Sequence, residues 1–230
     1  MPGEDLFYNW KGRLKTMDTG FRRLPVYLLL DCSGSMSGEP IEAVRQGVKA
    51  LLADLRSDPQ ALETAYLSVI AFSSSARQIS PLTELMLFKE PALEAQGSTS
   101  LGEALSLLEK CIENEVRKST ATQKGDWKPL VFLMTDGQPT DTWEPAAERI
   151  RRQERCNMIA CAAGSGADSA LLKKIAGLVV ELNNLKPDTL KAFFKWVSVS
   201  IKSTSVNVAR ACETTPLNLP PPPPEVRMVP

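Results

Sequence analysis

The chain has 230 residues, 43% hydrophobic and 23% charged, which is one good-sized globular domain with short tails and not a fibrous or largely disordered protein. Lys+Arg 27 against Asp+Glu 27 leaves formal charge +0 and no basic field to hold a nucleic acid backbone. His 0 removes every histidine triad, histidine general base and histidine-containing zinc site, so any chemistry must come from carboxylates, Lys, Cys or a metal held by oxygen.

Residues 1–23 carry no sustained pattern. Phe7, Trp10 and Leu14 fall on one helical face, but Gly3, Gly12 and Gly20 oppose a helix, and the segment reads as an N-terminal extension, with Met17 an alternative start. Leu24 to Leu30 is a short apolar run between Arg23 and Asp31, the signature of a strand buried on both faces. Ile41, Val44, Val48, Leu51, Leu52 and Leu55 then recur at helical spacing, with Pro40 in the first turn and Ser57-Asp58-Pro59 as the stop. Ala65 to Phe72 predicts a second strand and Ala76 to Ile79 a short antiparallel third, joined through Ser73-Ser74-Ser75.

Leu101, Ala104, Leu105, Leu108, Cys111 and Ile112 line the next helix, which Ser100 and Glu103 would open as a capping box. Leu130 to Met134 is a buried strand, and Asp141 with Glu144 offers a capping box for a helix reaching about Arg155. Met158 to Ala162 reads as a strand, Ala170 to Ala176 as a short helix and Leu178 to Leu182 as a last strand. Leu190, Phe194, Val197 and Ile201 mark a closing helix, flanked by solvated Lys191, Lys195 and Lys202. Strand and helix alternate throughout, so the expected fold is α/β: three layers, Rossmann-like, with a mostly parallel central sheet, one short antiparallel edge strand and helices on both faces. The domain is expected over 24–203, with 204–230 as a proline-rich C-terminal tail. Pro220 to Pro224 predicts an extended tail that stays out of the core: a stiff solvated linker, or a ligand for an SH3-like groove.

Five cysteines are an odd number without C-x-x-C spacing, so no disulfide framework or thiolate zinc site is expected. This fits a reducing compartment. No apolar run approaches the roughly 18 residues that span a bilayer. The expectation is a cytoplasmic protein without membrane contact.

The chemistry-bearing pattern follows the first strand. Asp31-Cys32-Ser33-Gly34-Ser35 alternates three oxygen side chains, and Gly97-Ser98-Thr99-Ser100 and Thr135-Asp136-Gly137-Gln138-Pro139-Thr140-Asp141 should reach the same sheet edge. Loops at the carboxyl ends of parallel strands form the ligand crevice of such sheets. Carboxylate and hydroxyl oxygens without nitrogen or sulfur suit a hard cation, Mg²⁺ first, with Mn²⁺ or Ca²⁺ as alternatives. Cys32 alternates with Asp31 and Ser33 and should turn into the core as apolar filler. Asp141 reads as a helix cap and not as a ligand.

On these residues the sequence resembles a von Willebrand factor A domain over about Leu24 to Ser203. The resemblance implies a metal-ion-dependent adhesion site at Asp31, Ser33, Ser35, Thr99 and Asp136. In that family the hydroxyls of Ser33, Ser35 and Thr99 touch the metal, while Asp31 and Asp136 often act through water. More narrowly, Arg22-Arg23-Leu24-Pro25-Val26-Tyr27, Gly38-Glu39-Pro40-Ile41 and Asp136-Gly137-Gln138-Pro139-Thr140-Asp141 are similar to the TerY-type proteins of bacterial tellurite-resistance clusters. That similarity implies a stress-response setting beside a kinase and a phosphatase; the Cys-rich module of some longer relatives has no counterpart here.

A divalent cation held mainly by neutral hydroxyls keeps positive character and attracts a carboxylate from a protein partner. The expected function is therefore noncatalytic, metal-dependent capture of a partner's Asp or Glu. The alternative is a metal-dependent phosphohydrolase using Asp31, but such enzymes want a second carboxylate two residues on, where this chain has Ser33.

Overall fold

The computed structural model describes residues 22–210 and 219–229. Its strands are β1 (Leu24–Asp31), β2 (Ala65–Phe72), β3 (Ala76–Glu84), β4 (Leu130–Thr135), β5 (Asn157–Ala163), β6 (Leu178–Leu182) and β7 (Val226–Met228). Its α-helices are α1 (Glu39–Arg56), α2 (Pro59–Thr64), α3 (Leu101–Glu115), α4 (Glu144–Gln153), α5 (Ser169–Leu172) and α6 (Pro187–Arg210). The strands form one sheet in the order β3-β2-β1-β4-β5-β6-β7. The five inner strands are parallel, and β3 and β7 pair antiparallel at the two edges.

Every residue of β1 and β4 is buried, because the pleat sends alternate side chains into two separate cores. Leu24, Val26, Leu28 and Leu30 of β1 and Leu130, Phe132 and Met134 of β4 meet α1 and α6 on one face. Tyr27, Leu29, Val131 and Leu133 meet α3 and α4 on the other. Phe132 stacks edge-on against Trp196 of α6 at 6.5 Å, anchoring that helix over the sheet centre. The long connection between β3 and α3 buries Leu85, Phe88 and Leu93, and guanidinium groups of α1 fix its path: Arg56 Nε donates to the Leu85 carbonyl (2.9 Å) and Arg45 Nε to that of Leu93 (2.8 Å).

The α/β architecture matches the sequence reading, with four differences. The antiparallel edge strand β3 runs to Glu84, with register shifts near Leu67 and Val69. A six-residue helix, α2, follows Asp58, whose carboxylate accepts from the Ala61 amide at 2.9 Å. The closing helix continues to Arg210.

The fourth difference concerns the tail, which does join the core. Val226, Arg227 and Met228 pair with Leu182, Glu181 and Val180 as a second antiparallel edge strand, and Val226 is buried. The tail is held twice more, by the Trp196 indole N–H donating to the Pro220 carbonyl at 2.9 Å and by the Val229 amide donating to Val179 O at 2.9 Å. The expectation failed because the open edge of β6 can pair with any extended segment that brings an apolar side chain, whatever precedes it in sequence. Residues 1–21, including Phe7, Trp10, Leu14 and Met17, lie outside the described residues, as does Cys212. Among the described residues, Cys32, Cys111, Cys156 and Cys161 are free thiols, and no helix is long and apolar enough to cross a membrane.

Candidate functional site

From β1 the chain leaves to one side to build β2 and β3, whereas β4 lies on its other side, so the topology reverses between β1 and β4. The two strands end side by side, Leu30 opposite Met134, and present Asp31 and the Thr135-Asp136 pair at the same rim. A crevice at such a reversal is where open α/β sheets bind ligands.

Five polar side chains converge there. Asp31 is 0% exposed; its Oδ1 accepts from the Ser33 amide at 2.8 Å and its Oδ2 from the Thr135 hydroxyl at 2.5 Å. The Ser33 and Ser35 hydroxyls lie 3.0 Å apart, and Ser35 Oγ donates to Asp136 Oδ1 at 2.8 Å. The run Ser33-Ser35-Asp136 is thus one hydrogen-bonded chain across β1 and β4, with Asp31 tied in from below. A short 3₁₀ turn, Gly34–Met36, produces this bend. Buried Met36 pins it, and the Gly34 amide donates to Gly97 O at 2.9 Å.

Thr99 arrives on the loop before α3. A Cβ added to Gly137 would lie 3.7 Å from Thr99 Oγ1, which places this hydroxyl beside the Asp136 loop. Gly97, two residues earlier, seats this loop against the β2–β3 turn: its φ of +76° disfavours any residue with a Cβ, and a Cβ would meet Ser74 Oγ at 2.2 Å. Gly166, from the loop after β5, abuts the same loop, since a Cβ there would fall 2.5 Å from the Asp136 carbonyl oxygen.

Two carboxyls dominate the electrostatics of the site. Burial drives the carboxyl of Asp31 above the usual carboxylate range despite the opposing bonds from Thr135 and Ser33, and neighbouring Asp136 adds to the rise. Burial likewise raises Asp136, against the bond from Ser35. Among the described residues neither carboxylate forms an ion pair. Two neighbouring buried carboxyls, fronted by two serines and a threonine, are a donor set for a hard divalent ion. No group of three or more His, Cys, Asp or Glu among the described residues is placed to hold a metal. An ion here would therefore need the hydroxyls.

Cys32 points the other way, as its alternation predicts. It is buried in the core beneath α1, and burial pushes its thiol up to about 12, far from a reactive thiolate.

Two expected caps are built differently. Ser100 sits at the start of α3, but its hydroxyl donates to Ser74 O, and the α3 amides of Gly102 and Glu103 are capped by Asp141 at 2.9 Å each. Trp143, not Asp141, precedes α4 and caps nothing with its side chain. Asp141 is a cap, as the sequence suggested, for the other helix. Sequence reasoning missed Thr135; its signal was a single hydroxyl closing the apolar run Leu130 to Met134 on the same side as Val131 and Leu133.

The model of the von Willebrand factor type A domain matches residues 26–178. The chain belongs to that family. The chain is 33% identical over 124 residues to an uncharacterized protein, sll0103, of Synechocystis sp., covering 51% of this chain and 26% of that one. It is 42% identical over 144 residues to the E3 ubiquitin-protein ligase WAVH1 of Arabidopsis thaliana, covering 56% and 20%. The chain thus spans about a quarter or less of these curated relatives. Among solved structures, a von Willebrand factor type A protein from Catenulispora acidiphila aligns with TM-score 0.60 at 20% identity, over 79% of this chain and 43% of that one. Proximal thread matrix protein 1 from the mussel byssus, solved with zinc in its MIDAS motif, aligns with TM-score 0.57 at 20% identity, over 79% and 48%. At such identities these structures establish the fold alone.

Proposed function

We propose that this A domain is a noncatalytic docking module that captures a carboxylate of a protein partner through a divalent cation at the β1/β4 rim. The observation that carries the reading is the pair of buried carboxyls Asp31 and Asp136, without an ion-pair partner among the described residues and hydrogen-bonded at Asp136 to the exposed Ser35, which in turn meets Ser33. In this reading Ser33, Ser35 and Thr99 hold the ion directly, and Asp31 and Asp136 orient the hydroxyls and balance charge. When bound, the ion supplies a Lewis-acidic position that accepts an outside Asp or Glu oxygen. The side chains around it supply orientation only: Thr135 and the Ser33 amide fix Asp31, and Asp136 fixes Ser35.

Mg²⁺ is the proposed ion, because few protein oxygens with room for water is the coordination it favours; Mn²⁺ and Ca²⁺ share the donor chemistry. The zinc in the mussel protein makes Zn²⁺ the control ion. The similarity of the sequence around Asp31 and Asp136 to TerY-type proteins supports a cytoplasmic chemical-stress complex as the setting, with a kinase or phosphatase as the candidate partner.

Immobilised chain exposed to candidate partners tests the reading. Capture should require Mg²⁺, fail in chelator, and fail when the partner's acidic residue is replaced by its amide. Capture that persists in chelator contradicts it. Turnover of a phosphate ester that is abolished by Asp31→Ala would instead support the phosphohydrolase.

A further inference from the structure

Thr99 and Asp136 come from loops far apart in sequence, yet four hydrogen bonds join those loops. The Thr99 amide donates to Thr140 Oγ1 at 3.1 Å, and the Thr140 amide returns a bond to Thr99 O at 2.9 Å. One residue on, the two carboxylate oxygens of Asp141 accept from the Gly102 and Glu103 amides. The contact is close-packed as well as polar: a Cβ on Gly102 would lie 2.3 Å from Thr142 O and 2.9 Å from Trp143 Cα. Both Asp141 oxygens are thereby engaged by α3 amides.

From this we infer that Thr140 and Asp141 are positioning residues, which clamp the Thr99 loop onto the Asp136 loop so that ion affinity depends on two side chains that donate no atom to the ion. The inference rests on the metal reading above. Its physical basis is that each loop alone has several backbone states, whereas a site needs its donors fixed to a few tenths of an ångström. Asp141 is suited to the task because it also answers the dipole and orphan amides of α3, so the loop is seated against a rigid element. Outer residues of this kind typically change metal affinity by about 10-fold to 100-fold.

The test is a double-mutant cycle on the full chain, with Mg²⁺ titrated by calorimetry. Asp141→Ala should weaken Mg²⁺ by about 10-fold or more in the wild-type background. In a Thr99→Ala background, where the ligand it positions is gone, the same change should cost no more than about twofold. Thr140→Val, which removes the acceptor for the Thr99 amide, should behave likewise, and Asp141→Asn, which keeps one acceptor, should fall between. A second readout needs no metal: in Asp141→Ala the amides of Thr99, Gly102 and Glu103 should exchange hydrogen faster, while those of β1 and β4 keep their protection. If Asp141→Ala does not fold, Thr140→Val and Asp141→Asn carry both readouts. A wild type that binds Mg²⁺, with losses that simply add in the double variant, overturns the clamp and leaves the metal reading standing. A wild type that binds no divalent ion overturns both.

Discussion

Replacing Asp31 by Asn separates the two costs that this residue carries. The side chain is buried, its oxygens accept from the Ser33 amide and the Thr135 hydroxyl, its charge is opposed by that of Asp136, and it has no ion-pair partner among the described residues. Asn has nearly the same shape. Its Oδ1 can keep the Ser33 bond, while its amide donates to a rotated Thr135 hydroxyl. Without metal, the variant therefore loses a buried charge and little else, and should be more stable than wild type by about 0.5–2 kcal/mol. With metal the order reverses. A site at 100 times its dissociation constant in free Mg²⁺ adds about 2.7 kcal/mol to wild type, or about 5–11 °C at the 2–4 °C per kcal/mol of a chain this long. Asp31→Asn should gain almost none of it. The assay is thermal unfolding of both proteins in chelator and in Mg²⁺, where the two melting temperatures should change order. A variant less stable than wild type in chelator, or stabilised equally by Mg²⁺, would show that Asp31 is not a buried charge kept for an ion.

Three further outcomes follow from other parts of the molecule. Val226→Ala should cost about 1–3 kcal/mol because Val226 is buried against the sheet through β7; denaturant unfolding checks this, and a neutral result would mean that β7 does not pair with β6 in solution. Gly97→Ala forces a Cβ to within 2.2 Å of Ser74 Oγ at a φ of +76°. It should weaken Mg²⁺ in calorimetry while the far-UV spectrum stays that of the wild type. Asp54, on α1, tends upward through burial, but the bonds from Lys202 and Ser198 and the charges of Lys202 and Lys195 outweigh this and hold its carboxyl below the ordinary 3.8. A depressed carboxyl stabilises the fold above its unfolded value and loses that contribution as pH falls through the folded one. Asp54→Asn should therefore destabilise at pH 6 and converge with wild type in strong acid, measured by unfolding across pH.

The strands were legible because sandwiched parallel strands need apolar side chains on both faces, and runs such as Leu24 to Leu30 and Leu130 to Met134 have no other comfortable home. The meeting of the oxygen-rich loops was legible for a related reason: oxygen side chains directly after such runs emerge at the carboxyl rim, where Ser35 bonds Asp136. What escaped the sequence was decided between segments. The cap of α3 comes from Asp141, 39 residues beyond Gly102, so the local capping boxes at Ser100 and Asp141 pointed to bonds that the tertiary contact replaced. The last strand has a single buried side chain, Val226, and its pairing depends on the free edge of β6 and on Trp196. Helix α2 spans six residues, too few to show a period.

In the proposed metal-bound form, one ion sits among Ser33, Ser35 and Thr99, with Asp31 and Asp136 behind them. Crystals soaked in Mn²⁺, whose anomalous signal marks the metal, test this most directly. One strong peak is expected at roughly 2.0–2.3 Å from the three hydroxyl oxygens, the range of hard divalent cations, with a coordination position open to solvent. No peak at this rim at saturating Mn²⁺, or a peak held elsewhere in the chain, would contradict it.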